Sequence, residues 1–297
     1  MTAPLPMTAG RRVALLLGVP VALAVIGWTG LTAVAYAGQA SYPVRLAVPV
    51  HGSTVVLSVG AADVRVTQAP GGQLLLTGTA HYSIIRSTVT WHNTPSGVTV
   101  TPRCHFVAGN CSFDFHAVVP GGKRALISTG SGNVTLADLS GPVSADTGSG
   151  DVSGNAVSGG NVAVKTGSGN ISVAGLASAR VTASAGSGDV SGAGVSGAKV
   201  TFKTGSGDIS IAGLTGTHVI ASAGSGDITL TFTKVPERVH VTNGSGNVTL
   251  VLPPGNTPYQ VNAATDSGGR VVTVPTNSAS QHVITVSDGS GNISITN

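Results

Sequence analysis

The chain has 297 residues, 43 of them glycine, with only 9% charged and 4% aromatic side chains, and this excludes an ordinary enzyme composition, in which roughly 25% of residues are charged. With 41% hydrophobic residues and a mean hydropathy of +0.33, it carries enough apolar surface to fold rather than remain disordered. The formal net charge of +4 falls to +2 without Arg11 and Arg12, so no basic stripe is expected and a nucleic-acid partner is excluded.

Residues 1–12 read as a short cytoplasmic tail. Residues 13–37, "VALLLGVPVALAVIGWTGLTAVAYA", carry no charge and are long enough to span a bilayer core of about 30 Å. Arginines precede this stretch and no Lys or Arg follows until Arg45, so the positive-inside bias predicts a single-pass cell-membrane protein with its C-terminal domain outside. The alternative is secretion after cleavage following Ala37, because Ala35-Tyr36-Ala37 fits the small-x-small pattern of a signal peptide.

Residues 38–128 show strand alternation with a worn repeat. "STVVLSVGAADVRVTQ" resembles one unit of the array that follows, with Gly60-Ala61-Ala62-Asp63 in place of its turn. Trp91, Tyr82, Phe106, Phe113 and Phe115 concentrate here, which suits a cap on the first coil of a stack. Cys104 and Cys111, the only cysteines, are expected to pair as a disulfide closing a small loop in an oxidising compartment. A pair of free thiols is the alternative, and a metal site is disfavoured because the spacing is wide and only His105 lies nearby as a further soft ligand.

Residues 129–297 form a repeat array. The motif GSG-Asn/Asp begins at Gly130, Gly148, Gly167, Gly186, Gly205, Gly224, Gly244 and Gly289, and the first spacings are 18, 19, 19, 19, 19 and 20 residues. A degenerate copy from Asp266, "DSGGRVVTV", fills the gap before Gly289. Copies 38 residues apart match best, so a unit with a fuller first strand alternates with one that has Gly or Ala there. Within one unit Ile209 and Ile211 alternate with Ser210, Gly213 marks a bend around Leu214, and Val219 opens a second short strand. Stacking such units would line their apolar rows into one core. The expected fold is therefore all-β, a right-handed, parallel β-helix-like solenoid of about 19-residue coils, with an antiparallel β-meander as the alternative.

The run "FDFHAVVPGGKRALISTGSGNVTLADLSGPVSADTGSGDVSG" resembles the bacterial putative-adhesin family built from a β-strand-repeat domain of unknown function. The likeness rests on the "VPGG" lead-in at Val119 to Gly122 and the successive turns followed by Val or Ile. It implies a cell-envelope protein with a solenoid-like domain and supplies no catalytic residues.

Three chemistries compete for the GSGD turn. Phosphate cradling needs the glycines between a strand and a helix N-terminus, whereas each GSG here leads into a strand. Calcium, at Asp189, Asp208 and Asp227, is suggested by a superficial likeness to β-roll repeats. Those recur about every nine residues, and here Asn replaces Asp as often as not. The reading preferred is a structural corner in which Gly supplies positive φ and Asn or Asp accepts nearby backbone hydrogen bonds. Glu237 is the only glutamate, and G-x-S-x-G and H-E-x-x-H motifs are absent. No catalytic residue and no cofactor is expected. The chain reads as a non-enzymatic adhesin or surface scaffold whose partners are the membrane, through the N-terminal segment, and a surface polymer or envelope protein. The alternative function is envelope-stress sensing or regulation through a membrane partner.

Overall fold

The computed structural model describes residues 20–21, 23–30, 37–105 and 111–297. Its repeats stack in parallel rather than as a meander. Each coil runs through a back sheet, turns at its GSG corner, runs through a front sheet, and bends back. In the front sheet Val134–Ala137, Val152–Asn155, Ile171–Ala174 and Val190–Ala193 pair in sequence, and the series continues through the first residues of Ile209–Ser225, then Ile228–Phe232 and Val248–Val251. In the back sheet Arg124–Ser131, Val143–Thr147, Ser158–Thr166, Ala177–Ala185 and Ser196–Ser206 do the same, followed by the last part of Ile209–Ser225 and then Arg238–Ser245.

Period-two alternation accounts for the two faces. Val190 and Ile209 point inward and are fully buried, while Ser191 and Ser210 beside them are exposed. A third inward column lies past the bend, where Leu176, Val195 and Leu214 are buried between the sheets. The bend itself needs a left-handed residue. Gly175, Gly194 and Gly213 take φ of 60°, 63° and 67°, and Asp138 and Ala156 hold the same place in the two preceding coils at 54° and 51°.

The 38-residue double period is a packing device. Gly192 sits in register between Val173 and Ile211, and a Cβ there would meet Val173 Cγ2 at 2.9 Å and Ile211 Cδ1 at 3.2 Å. In the back sheet, Phe202 is buried between Ala183 and Ala221. Large residues in one coil fill the space that small residues leave in the next.

The stack does not follow chain order at either end. Coil 54–69 lies against 124–137, while the later segments Gly97–Arg103 and Ser112–Pro120 pair with its other side. Beyond them the front sheet turns antiparallel, with Ser112–Pro120 on Gln73–Ser83 and that strand on Gln39–Pro49, and a hairpin of Thr88–Thr94 with Gly97–Arg103 extends the back sheet. Far along the chain, coil 283–296 pairs with coil 238–251 on one side and with 260–272 on the other, so the degenerate copy is outermost.

The expected single-pass anchor is corrected. Among the described residues no helix is long and apolar enough to cross a membrane. The other expectations for this region, the tail 1–12 with its arginines and most of the 13–37 segment including Ala35 and Tyr36, lie outside the described residues.

Candidate functional site

The repeated motif places its residues in columns along the stack. The Asn or Asp that ends each turn stands directly over its counterpart, and its Oδ1 accepts the backbone N–H of the next coil. Asn133 N–H donates to Asp63 at 2.6 Å, Asp151 to Asn133 at 2.9 Å, Asn170 to Asp151 at 2.8 Å and Asp189 to Asn170 at 2.9 Å. Asp208 donates to Asp189 at 2.9 Å, Asp227 to Asp208 at 2.7 Å, Asn247 to Asp227 at 2.7 Å and Asn292 to Asn247 at 3.1 Å. The last rung is Gly269 N–H on Asn292 at 2.8 Å. The role requires one side-chain oxygen and no charge, which is why Asn and Asp exchange freely.

The corner glycines at Gly130, Gly148, Gly167, Gly186, Gly205, Gly224, Gly244 and Gly289 line up in the same way. Their chief requirement is space rather than positive φ. A Cβ on Gly205 would run into the carbonyl oxygen of Gly186 below, and one on Gly207 into that of Gly188. Only some third glycines, such as Gly226 at φ 122°, adopt the left-handed side of the map.

Inside the corner runs a second, buried column. Thr147, Thr166 and Thr204 each donate Oγ1 to the third glycine carbonyl of the neighbouring coil, at 3.0, 2.7 and 2.7 Å to Gly132, Gly150 and Gly188. Thr265 donates likewise to Gly291 at 3.0 Å, as the swapped stacking order requires. Two members differ. Asn243 turns its Nδ2 to its own coil's Gly246 carbonyl at 2.9 Å, and Asp288 beside it is 3% exposed with neither carboxylate oxygen in a well-formed hydrogen bond. Burial pushes the Asp288 carboxyl above the ordinary Asp range, while the Asn243 side chain and the nearby N–H groups of Gly289 and Ser290 pull it partly back.

Asp189, Asp208 and Asp227 therefore do stand together, on consecutive coils. Each gives one carboxylate oxygen to a backbone N–H, and among the described residues no group of three or more His, Cys, Asp or Glu is disposed to hold a metal ion. Cys104 and Cys111 are joined as a disulfide with Cα atoms 5.9 Å apart.

One polar constellation escaped the sequence reading. On the outer front sheet near the cap, His81 Nε2 lies 3.2 Å from Asp114 Oδ2 and His116 Nε2 lies 2.9 Å from Thr67 Oγ1, beside a shallow depression of about 490 Å³ that Asp63 and Arg65 also line. Alternation along Ser112–Pro120 puts Asp114 and His116 on one face, but their partners come from strands 33 and 49 residues away. These side chains stand exposed on a flat sheet, without the water-excluding enclosure that gives catalytic dipoles their strength.

The family described as Toastrack DUF4097 matches residues 127–296. Among solved structures, the chain resembles a putative adhesin from Bacteroides fragilis NCTC 9343 at 13% identity and a TM-score of 0.48, over 85% of this chain and 96% of that one. It also resembles a putative adhesin from Parabacteroides distasonis ATCC 8503 at 13% identity and a TM-score of 0.45, over 86% and 97%. A putative cell adhesion protein from Clostridium sporogenes ATCC 15579 aligns at 10% identity and a TM-score of 0.29, over 87% and 99%. No curated protein matches.

Proposed function

Since the chain belongs to the Toastrack DUF4097 family, we propose that it is a non-enzymatic scaffold of the cell surface, with the coil stack as a rigid adhesive or spacing element. The observation that carries this reading is the corner column. From Asp63 to Asn292 the Asn and Asp side chains of the repeated motif are used in joining each coil to the next. The motif that looks most like a set of small sites is thus a construction element, and the surface left for function is the broad outer face of each sheet.

Two further features support the reading. The outer front sheet presents Ser153, Ser172, Ser191, Ser210, Thr229 and Thr249 in continuous register, a flat hydroxyl row suited to many weak contacts. The Cys104–Cys111 disulfide is chemistry of an oxidising compartment. The test is accessibility on intact cells, using a membrane-impermeant amine reagent read at Lys165, Lys199 and Lys203, together with attachment of cells lacking the gene. Surface labelling and reduced attachment are expected. Lysines protected in intact cells but labelled after lysis would overturn the proposal.

A further inference from the structure

The outer face of the back sheet carries a charge pattern that no local stretch of sequence reveals. Arg180 pairs in register with Lys199, Lys199 with His218, and His218 with Arg238, so one exposed cationic or ionisable side chain stands on each of four consecutive coils. Four residues further along their strands, Lys165 and Lys203 occupy a second exposed row, separated by Ser184. Between the rows lie Thr182 and Thr201. Across the outward positions of the back sheet itself, from Asn161 to Thr242, there is no Asp or Glu, while the exposed Asp189, Asp208 and Asp227 lie around the corner on the same coils. The acids nearby are at the margins, with Glu237 3.8 Å from His218 and Asp146 in register with Lys165 on the flanking coil. Composition alone predicts no basic stripe, and stacking at 19-residue intervals creates one.

We propose that this face docks a linear acidic polysaccharide, laid along the stack axis with successive carboxylates meeting successive coils. The row repeats at the strand spacing of about 4.8 Å, close to the advance of one pyranose residue in an extended chain. Guanidinium groups at its ends, Arg180 and Arg238, suit bidentate pairing with carboxylates, and Thr182 and Thr201 between the rows offer hydroxyls to a sugar. The face has no aromatic side chain, so it lacks the stacking platform that single-stranded nucleic acid or a neutral glycan uses. This inference deepens the surface reading by naming a partner class, but the contact itself can be tested without any cells.

The full-length protein is titrated with polygalacturonate, with dextran and oligothymidylate as comparators, at low and high salt. Binding to polygalacturonate alone, weakening as salt rises, is expected. The triple variant Arg180→Gln, Lys199→Gln, Arg238→Gln should bind roughly tenfold more weakly, given the modest worth of each exposed charge pair. Lys165→Gln with Lys203→Gln should show a smaller loss. All five positions are exposed, so unchanged circular dichroism and melting are the control for folding. Absence of polygalacturonate binding at low salt, equal binding to oligothymidylate, or undiminished binding by the triple variant would each overturn the proposal. None of these outcomes bears on whether the protein is displayed on cells.

Discussion

Asp208 offers the sharpest test of the corner column, because two substitutions there separate geometry from charge. Its Oδ1 accepts the Asp227 N–H at 2.7 Å, and its own N–H donates to Asp189 at 2.9 Å. Asp208→Ala removes the acceptor, leaving the Asp227 N–H to water at an exposed corner. The expected loss is about 1 kcal/mol, in the usual range for one net hydrogen bond. Asp208→Asn keeps the oxygen and removes a carboxylate from between two others. At a spacing of about 4.8 Å, each like-charge pair costs about 1 kcal/mol in water, and roughly half of that at physiological ionic strength. Against this stands the weaker bond to a neutral amide, so the Asn variant should match or exceed wild type at low salt. The assay is thermal unfolding at two salt concentrations, with calcium and with a chelator. A change of 1 kcal/mol corresponds to about 2–4 °C in a domain of this size. If Asn and Ala prove equally destabilising, a bare acceptor oxygen is not what the column needs and the reasoning fails. If chelation lowers the wild-type midpoint and leaves the Asn variant unmoved, the calcium reading regains its place.

The core, the bend and the buried acid each yield a further expectation. Phe202→Ala opens a void between Ala183 and Ala221, residues too small to fill it, and should cost about 3–5 kcal/mol in chemical denaturation. Ala156 holds a left-handed conformation that glycine occupies in the following three coils, so Ala156→Gly should raise stability by about 0.5–1 kcal/mol, and a lower melting temperature would contradict the strain argument. The folded-state pKa of Asp288 is raised, so the stability it supports is complete below the ordinary Asp value of about 3.9 and is lost as pH rises through the folded value. Asp288→Asn should therefore be more stable than wild type near neutral pH, with the difference vanishing in acid. A constant difference across the pH range would show that ionisation is not its source.

The array was legible because a coil is one sequence period. Val190 and Ile209 alternate with serines, and the Gly213 bend around Leu214 lies where the pattern places it. The interchange of Asp189 and Asn170 pointed to a hydrogen-bonding corner before the partners were visible. Legibility fails where contacts link residues far apart in the chain and no period connects them. The antiparallel pairing of Gln39–Pro49 with Gln73–Ser83, the meeting of His81 with Asp114, and the exchange of the end coils all depend on register between strands that carry no repeated mark. The basic row was missed for a different reason. A cation once every 19 residues looks like dilution along the chain, and only stacking turns that interval into adjacency.

The coil exchange explains where the repeat is allowed to decay. An interior coil must satisfy neighbours on both sides, with its corner glycines held against one carbonyl and its Asx oxygen against the next N–H. An outermost coil answers to one neighbour only, and its free edge must discourage further pairing. Coil 283–296 keeps an intact GSGN and lies inside, with Gly289 packed on Gly244 and Asn292 bonded on both sides. Coil 260–272 has lost the motif and lies outside, where Arg270 and Val271 are exposed and Arg270 turns back to the Ala263 carbonyl at 2.7 Å. At the opposite end the intact turn at Gly130 is interior, and the worn Gly60–Asp63 turn, whose strands still pair in parallel with Gly97–Arg103 and Ser112–Pro120, is the last to join the corner column. Degeneracy in this sequence is therefore a map of position in the stack rather than of order in the chain. The irregular spacing after Gly244 follows from the same cause, since the chain must step over a layer and return to fill it.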